Sequence, residues 1–281
     1  MKKLIALLLA LVLVVGLVAC GNKTPDAPVA DDPVNDTPVN NDPSEEPSNE
    51  PSEEPSQDEP VVEEPTGMTY AEFLAAPMDS EVTVVTYVQA FESWWDGAMH
   101  LYCQDEEGAY YVYGLACTEE EAAQFVPGTK ILVTGYKGEW SGEVEIMDAT
   151  AEVLEGNYIV DAATDATALL GTDELATVMN HLVAFKGLTV APSTDAEGNE
   201  VAFLYKWDGS GSQGDDLYFN VAMGDQVFTF TVNVYMNGTG ADSEVYKTIE
   251  GLKVGDVIDV EGFLYWYNGA QPHITSVTVS E

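Results

Sequence analysis

The chain has 281 residues, and 49 acidic residues against 9 basic ones leave a formal net charge of −40. Every basic residue is lysine, and after Lys23 no two stand closer than six positions; without a cationic stripe to displace counterions from phosphates, nucleic acid is expected to be an unlikely partner. Three cysteines, one of them Cys20, exclude a disulfide framework and allow at most one bridge within the chain. The first element is an address. Lys2 and Lys3 precede an apolar run over 4–19 that closes on small residues, which makes residues 1–19 a secretory signal rather than a spanning helix.

Leu17, Val18, Ala19 and Cys20, followed by Gly21, resemble the bacterial lipobox. The resemblance implies cleavage before Cys20, a diacylglycerol on its thiol, and an extracytoplasmic protein held in the membrane at the bacterial cell surface. More than one acyl chain makes such anchoring stable. Residues 20–66 then form a tether. Between 21 and 66 stand fourteen acidic residues and one lysine, and 43–60 repeats Pro-Ser-Glu-Glu and Pro-Ser-Asn-Glu units. Proline, serine and like charge bury too little apolar surface to offset ordering entropy, so this stretch reads as disordered. At about 3.1 Å per residue it reaches at most roughly 140 Å.

Residues 67–281 hold 35 acidic residues and 6 lysines and are rich in Val, Tyr, Phe, Thr and Gly in short alternating runs. That is an all-β composition with short helices. In chain order, the capping box Thr69-x-x-Glu72 opens a helix over 69–75, followed by a strand over 82–90. A hairpin over 98–104 and 109–114 turns through 105–108, a helix covers 119–125, and the unit closes on two strands, the last over 144–153. The second unit runs from a helical stretch at 173–180 through strands 182–190, 217–223 and 227–235, a helix at 243–249, and strands 256–265 and 273–279. Gly128, Gly135 and Gly142 recur as Gly255, Gly262 and Gly269, marking an internal repeat whose glycines sit at bends or bulges. Five strands with a helix between the third and fourth is the order of an OB-fold. The repeated pattern resembles the OB-fold domains of bacterial secreted and lipid-anchored proteins. This implies two tandem five-stranded OB-fold-like barrels, 67–156 and 157–281, the second with an enlarged loop between its first two strands. It implies a binding module and leaves the ligand open.

Aromatic placement supplies the candidate site. Trp94, Trp95, Trp140, Trp207 and Trp266, with Tyr267, fall in or beside the loops that flank an OB ligand face. Register adds a row. With the turn at 105–108, Gln104 faces Ala109, Cys103 faces Tyr110 and Leu101 faces Val112. Alternation then sends Met99, Leu101, Cys103, Tyr110 and Val112 inward and leaves His100, Tyr102, Tyr111 and Tyr113 outside. Outward rings of this kind either receive a ligand or pack against the other domain. A net charge of −29 over 67–281 favours a neutral or cationic ligand.

Catalytic and metal motifs are absent from the sequence: His100, His181 and His273 are scattered, and there is no Cys-x-x-Cys spacing, no Gly-x-Ser-x-Gly elbow and no phosphate loop. Asp195, Glu197, Asn199 and Glu200 around Gly198 lack the length of a calcium loop and read as a hairpin turn. No cofactor and no metal are implied. Two function classes follow. One is a surface-anchored, noncatalytic binding lipoprotein that captures a glycan, wall polymer, peptide or protein. The other is a structural or adaptor lipoprotein whose aromatic surfaces mediate domain or complex packing; exposed tryptophans favour the first, buried ones the second.

Overall fold

The computed structural model describes residues 65–280; the signal segment, Cys20 and the tether as far as residue 64 lie outside the described residues. The chain enters through α1 (Tyr70–Ala75), where the Thr69 hydroxyl accepts from the Glu72 amide while the Glu72 carboxylate accepts from the Thr69 amide. The carbonyls at the other end are closed by Lys137, whose buried ammonium donates to Phe73, Leu74 and Ala76 at 2.8–2.9 Å. Lys137 thereby pins this helix over the first barrel, with Phe73 in its core.

That barrel consists of β1 (Glu81–Phe91), β2 (Ala98–Gln104), β3 (Ala109–Ala116), β4 (Thr129–Trp140) and β5 (Glu143–Asn157), with α2 (Glu119–Ala122) between the third and fourth strands. Strict alternation in β1 sends Val82, Val84 and Val88 inward. Pairing in the order β1-β2-β3-β5-β4 closes the sheet on itself, which leaves no free strand edge.

The second barrel follows β6 (Thr164–Asp165) and two 3-10 turns, one spanning Asp173–Val178 where a helical stretch is expected. Its strands are β7 (Leu182–Ala191), β11 (Leu217–Met223), β12 (Gln226–Val232), β13 (Val257–Phe263) and β14 (His273–Val279), with α3 (Glu244–Glu250) between the third and fourth. The enlarged loop carries the short strands β8 (Ser193–Thr194), β9 (Glu200–Val201) and β10 (Leu204–Tyr205). Asp195 turns the β8–β9 hairpin by accepting from the amides of Glu197 and Asn199. β7 pairs with both β11 and β13, so the ring β7-β11-β12-β14-β13 closes in the same order as the first. The fold is therefore two five-stranded OB barrels with short helices, as the strand order predicts.

Closure depends on the middle glycines of the repeat. Gly135 and Gly262 both lie at register shifts between the fourth and fifth strands. A β-carbon on Gly135 would stand 2.7 Å from the Met147 carbonyl oxygen, and one on Gly262 would stand 2.7 Å from Ile274 Cα. Only glycine lets the two strands approach this closely where the sheet bends.

Candidate functional site

Both barrels belong to one compact unit, and the outer face of the first hairpin explains why. The register is the expected one: Leu101 opposite Val112, Tyr102 opposite Tyr111, Cys103 opposite Tyr110 and Gln104 opposite Ala109. Met99, Leu101, Cys103, Tyr110 and Val112 fill the first core. Cys103 and Cys117 are both free thiols. On the other face, Tyr102 and Tyr111 join Ala90, Met236 and Phe263 in a small hydrophobic cluster built from both barrels. Tyr102 is completely buried, stacks on Phe263 with ring centroids 4.7 Å apart, and shares a 2.8 Å hydrogen bond with His273 Nδ1. Around this cluster the Gln104 side chain accepts from the Leu182 amide, Asn237 Oδ1 from the Phe91 amide, and Glu143 Oε2 from the Trp266 amide, each at 2.7–2.9 Å.

Beside this seam the barrels leave a cleft of about 840 Å³. From the first barrel come His100, Tyr111 and Tyr113 of the hairpin, Trp140 at the end of β4, and Glu92 just after β1. The second barrel contributes the outward residues of its own hairpin. Leu217, Phe219 and Val221 point into the core, so Tyr218 and Asn220 face the cleft with Asp216 just before them; Phe230 and Val232 do the same for Thr229, Thr231 and Asn233. Tyr265, Tyr267, Gln271 and Trp207 also line the cleft. The walls are unlike. The first is aromatic, with His100 stacked on Tyr113 at 4.5 Å, and the hairpin of the second presents Asn220, Thr229, Thr231 and Asn233, amides and hydroxyls that both donate and accept, beside the ring of Tyr218.

Ten residues are expected from the sequence to bind ligand, and the cleft gathers six of them: His100, Tyr111, Tyr113, Trp140, Trp207 and Tyr267. Tyr113, Trp140 and Trp207 are 50%, 61% and 69% exposed. Tyr102 is corrected to an interface residue, because its ring lies wholly between the barrels. Tyr111 lines the cleft floor but is also buried in that seam. Trp94 is half-buried and its indole donates to the Cys117 carbonyl at 2.8 Å, which ties down the loop after β1. Trp95 is 81% exposed and stands outside the cleft. Trp266 packs against the second core and covers Gly142. Glu92, Asp216, Thr231, Asn233 and Tyr265 are cleft residues not singled out from sequence; the signal for the second wall was the polar alternation in Asp216, Tyr218, Asn220 and Thr229, Thr231, Asn233.

Burial sets the charges. Desolvation raises the Glu92 carboxyl to about 7 against the lowering bond from Tyr111, with Asp216 adding repulsion, and Asp216 is itself pushed up by burial. His273, buried beneath Tyr265, is depressed to about 3 and stays neutral. Burial likewise lowers His100, whose Nδ1 accepts from the Gly114 amide at 3.0 Å. Among the described residues no lysine lines the cleft, none of the His, Cys, Asp and Glu side chains are grouped to hold a metal ion, and no helix is long and apolar enough to cross a membrane.

No protein-family model matches the sequence, and no curated protein matches it. Among solved structures, a murine DNA-binding protein bound with double-stranded DNA is 13% identical over 71% of this chain and 98% of that one, with a TM-score of 0.33. The Ifi202 HINa domain in complex with a 20-bp duplex is 11% identical over 72% and 96%, with a TM-score of 0.30. The tetrameric p202 HIN2 domain is 11% identical over 73% and 96%, with a TM-score of 0.32. The fold assignment rests on the strand pairings and is independent of these likenesses. The first two chains carry duplex DNA, and the expectation that nucleic acid is an unlikely partner is corrected accordingly. It was drawn from lysine and arginine counts, which are blind to the backbone amides and polar side chains that also hold phosphates.

Proposed function

We propose that the chain is a noncatalytic binding lipoprotein that holds a glycan in the cleft between its barrels. The two unlike walls carry this reading. A sugar ring has an apolar face and a rim of hydroxyls, which suits aromatic rings on one side and groups that both donate and accept on the other. The lipobox resemblance supports the address: Cys20 acylated and the barrels held at the bacterial membrane. The adaptor reading draws on Tyr102 and Tyr111, whose rings pack domain on domain; exposed Trp140 and Trp207 at the rim favour binding.

The test is a retention screen of the full chain in detergent against a glycan array and cell-wall fractions, with a 20-bp DNA duplex and a peptide library as parallel arms. Retained glycan, unaltered on elution and lost with Trp140→Ala plus Trp207→Ala, is the expected result. Retention of the duplex or of peptides in preference to every glycan, or conversion of the glycan to product, contradicts the reading.

A further inference from the structure

We infer that the glycan carries an ammonium group, which seats between Glu92 of the first barrel and Asp216 of the second beside the hydroxyl of Thr231. This rests on the glycan reading of the cleft and names the class of sugar it takes. Glu92 is held in place by its backbone: its amide donates to the His100 carbonyl at 2.9 Å and its strand edge bridges to Met236 of the other barrel. Its carboxylate receives a long bond, 3.4 Å, from the Tyr111 hydroxyl and a further one from the Asn233 side chain. Asp216 is oriented by the Val234 amide, which donates to Oδ1 at 2.9 Å. The two carboxylates repel across a cleft without a lysine, and a cation between them would remove that repulsion and gain a charge-assisted hydrogen bond.

Thr231 gives an independent indication. It is 2% exposed, it stands between Thr229 and Asn233 on the cleft face of β12, and its hydroxyl has no hydrogen-bond partner. Leaving a buried hydroxyl without a partner is unfavourable, and a polar group entering the cleft would supply the missing bond. The cleft's rings suit the same ligand, because the faces of Tyr113 from the first barrel and Tyr265 from the second attract a cation as well as an apolar ring face. A lysine-bearing peptide also offers an ammonium, and trilysine is the probe that stands for it in the test.

Calorimetric titration of the full chain in detergent at pH 7 with a glucosamine tetrasaccharide, its fully N-acetylated counterpart and trilysine separates these cases. The amine-bearing sugar is expected to bind about tenfold or more tighter than the acetylated one. Glu92→Gln and Asp216→Asn should each abolish that preference, bringing the amine-bearing sugar to the affinity of the acetylated one. Equal binding of the two sugars overturns the inference and leaves the glycan reading standing. A preference that survives both substitutions overturns it too, since it would reflect general attraction to an acidic protein. Trilysine binding more tightly than the amine-bearing sugar transfers the site to peptides, and binding of neither sugar removes the glycan reading along with the inference.

Discussion

Glu143 is the least comfortable residue in the molecule. It is wholly buried at the seam, one oxygen has no partner, and burial lifts its carboxyl to about 8, with Glu145 beside it at about 7. A carboxyl that holds its proton more tightly in the folded chain than in the unfolded one favours folding at low pH, and that contribution is lost as pH rises from the unfolded value through the folded one. His273 acts oppositely: depressed to about 3, it lends stability that is present above the ordinary histidine value and lost as pH falls below it. Between pH 6.5 and 8 the carboxyls dominate, because most of the His273 contribution changes at lower pH, so thermal stability should fall across that window, by about 1–2 kcal/mol from Glu143 alone. Glu143→Gln, which keeps an oxygen for the Trp266 amide, should flatten the slope; an unchanged slope would place the titration elsewhere. Two tyrosines one pleat apart differ as sharply. Tyr111→Ala opens a cavity in the seam and should cost about 3 kcal/mol or more in chemical denaturation, whereas Tyr113→Ala, at a half-exposed ring, should cost well under about 1 kcal/mol.

At the scale of strands and turns, the repeat makes a testable pair. Gly262→Ala would drive a β-carbon into the β14 backbone and should destabilise by about 3 kcal/mol, while Gly240→Ala, with only the Val234 carbonyl at 3.8 Å, should be nearly neutral. Equal effects would show that the bulge relaxes freely. Much of this level was legible in the sequence. Period-2 alternation located the hairpin 98–104 and 109–114 to its register, and glycine spacing disclosed the duplicated barrel. What the pattern could not show was the destination of an outward ring. Tyr102 and Tyr113 both face away from the first core, yet one meets His273, 171 positions later, and the other meets solvent. Alternation records which side of a sheet a residue occupies and is silent on what stands against that side. The second wall of the cleft was missed for a different reason: threonine, asparagine and aspartate on the outer face of a strand look like ordinary solvated surface until a second barrel is set opposite them.

The whole molecule is best regarded as two barrels sharing a third, small core. Because Tyr102, Tyr111, Met236 and Phe263 lose their cover if either barrel opens, heat or urea should unfold residues 65–280 in one transition, with coincident tyrosine and far-UV signals; two resolved transitions would mean the seam is too weak to couple them. Rigid union of the barrels also holds the carboxylates, tyrosines and amides of the cleft in place before a ligand arrives, which spares ordering cost on binding. The cleft is thus the element on which the functional account stands. Its most direct test is titration of three variants with the glucosamine tetrasaccharide: Tyr113→Ala and Trp207→Ala inside the cleft, and Trp95→Ala, the most exposed of the five indoles, outside it. The account predicts that the two cleft variants lose about tenfold or more in affinity while Trp95→Ala binds as the parent chain does. A loss with Trp95→Ala that matches the loss with the cleft variants, or no loss with any, would contradict it.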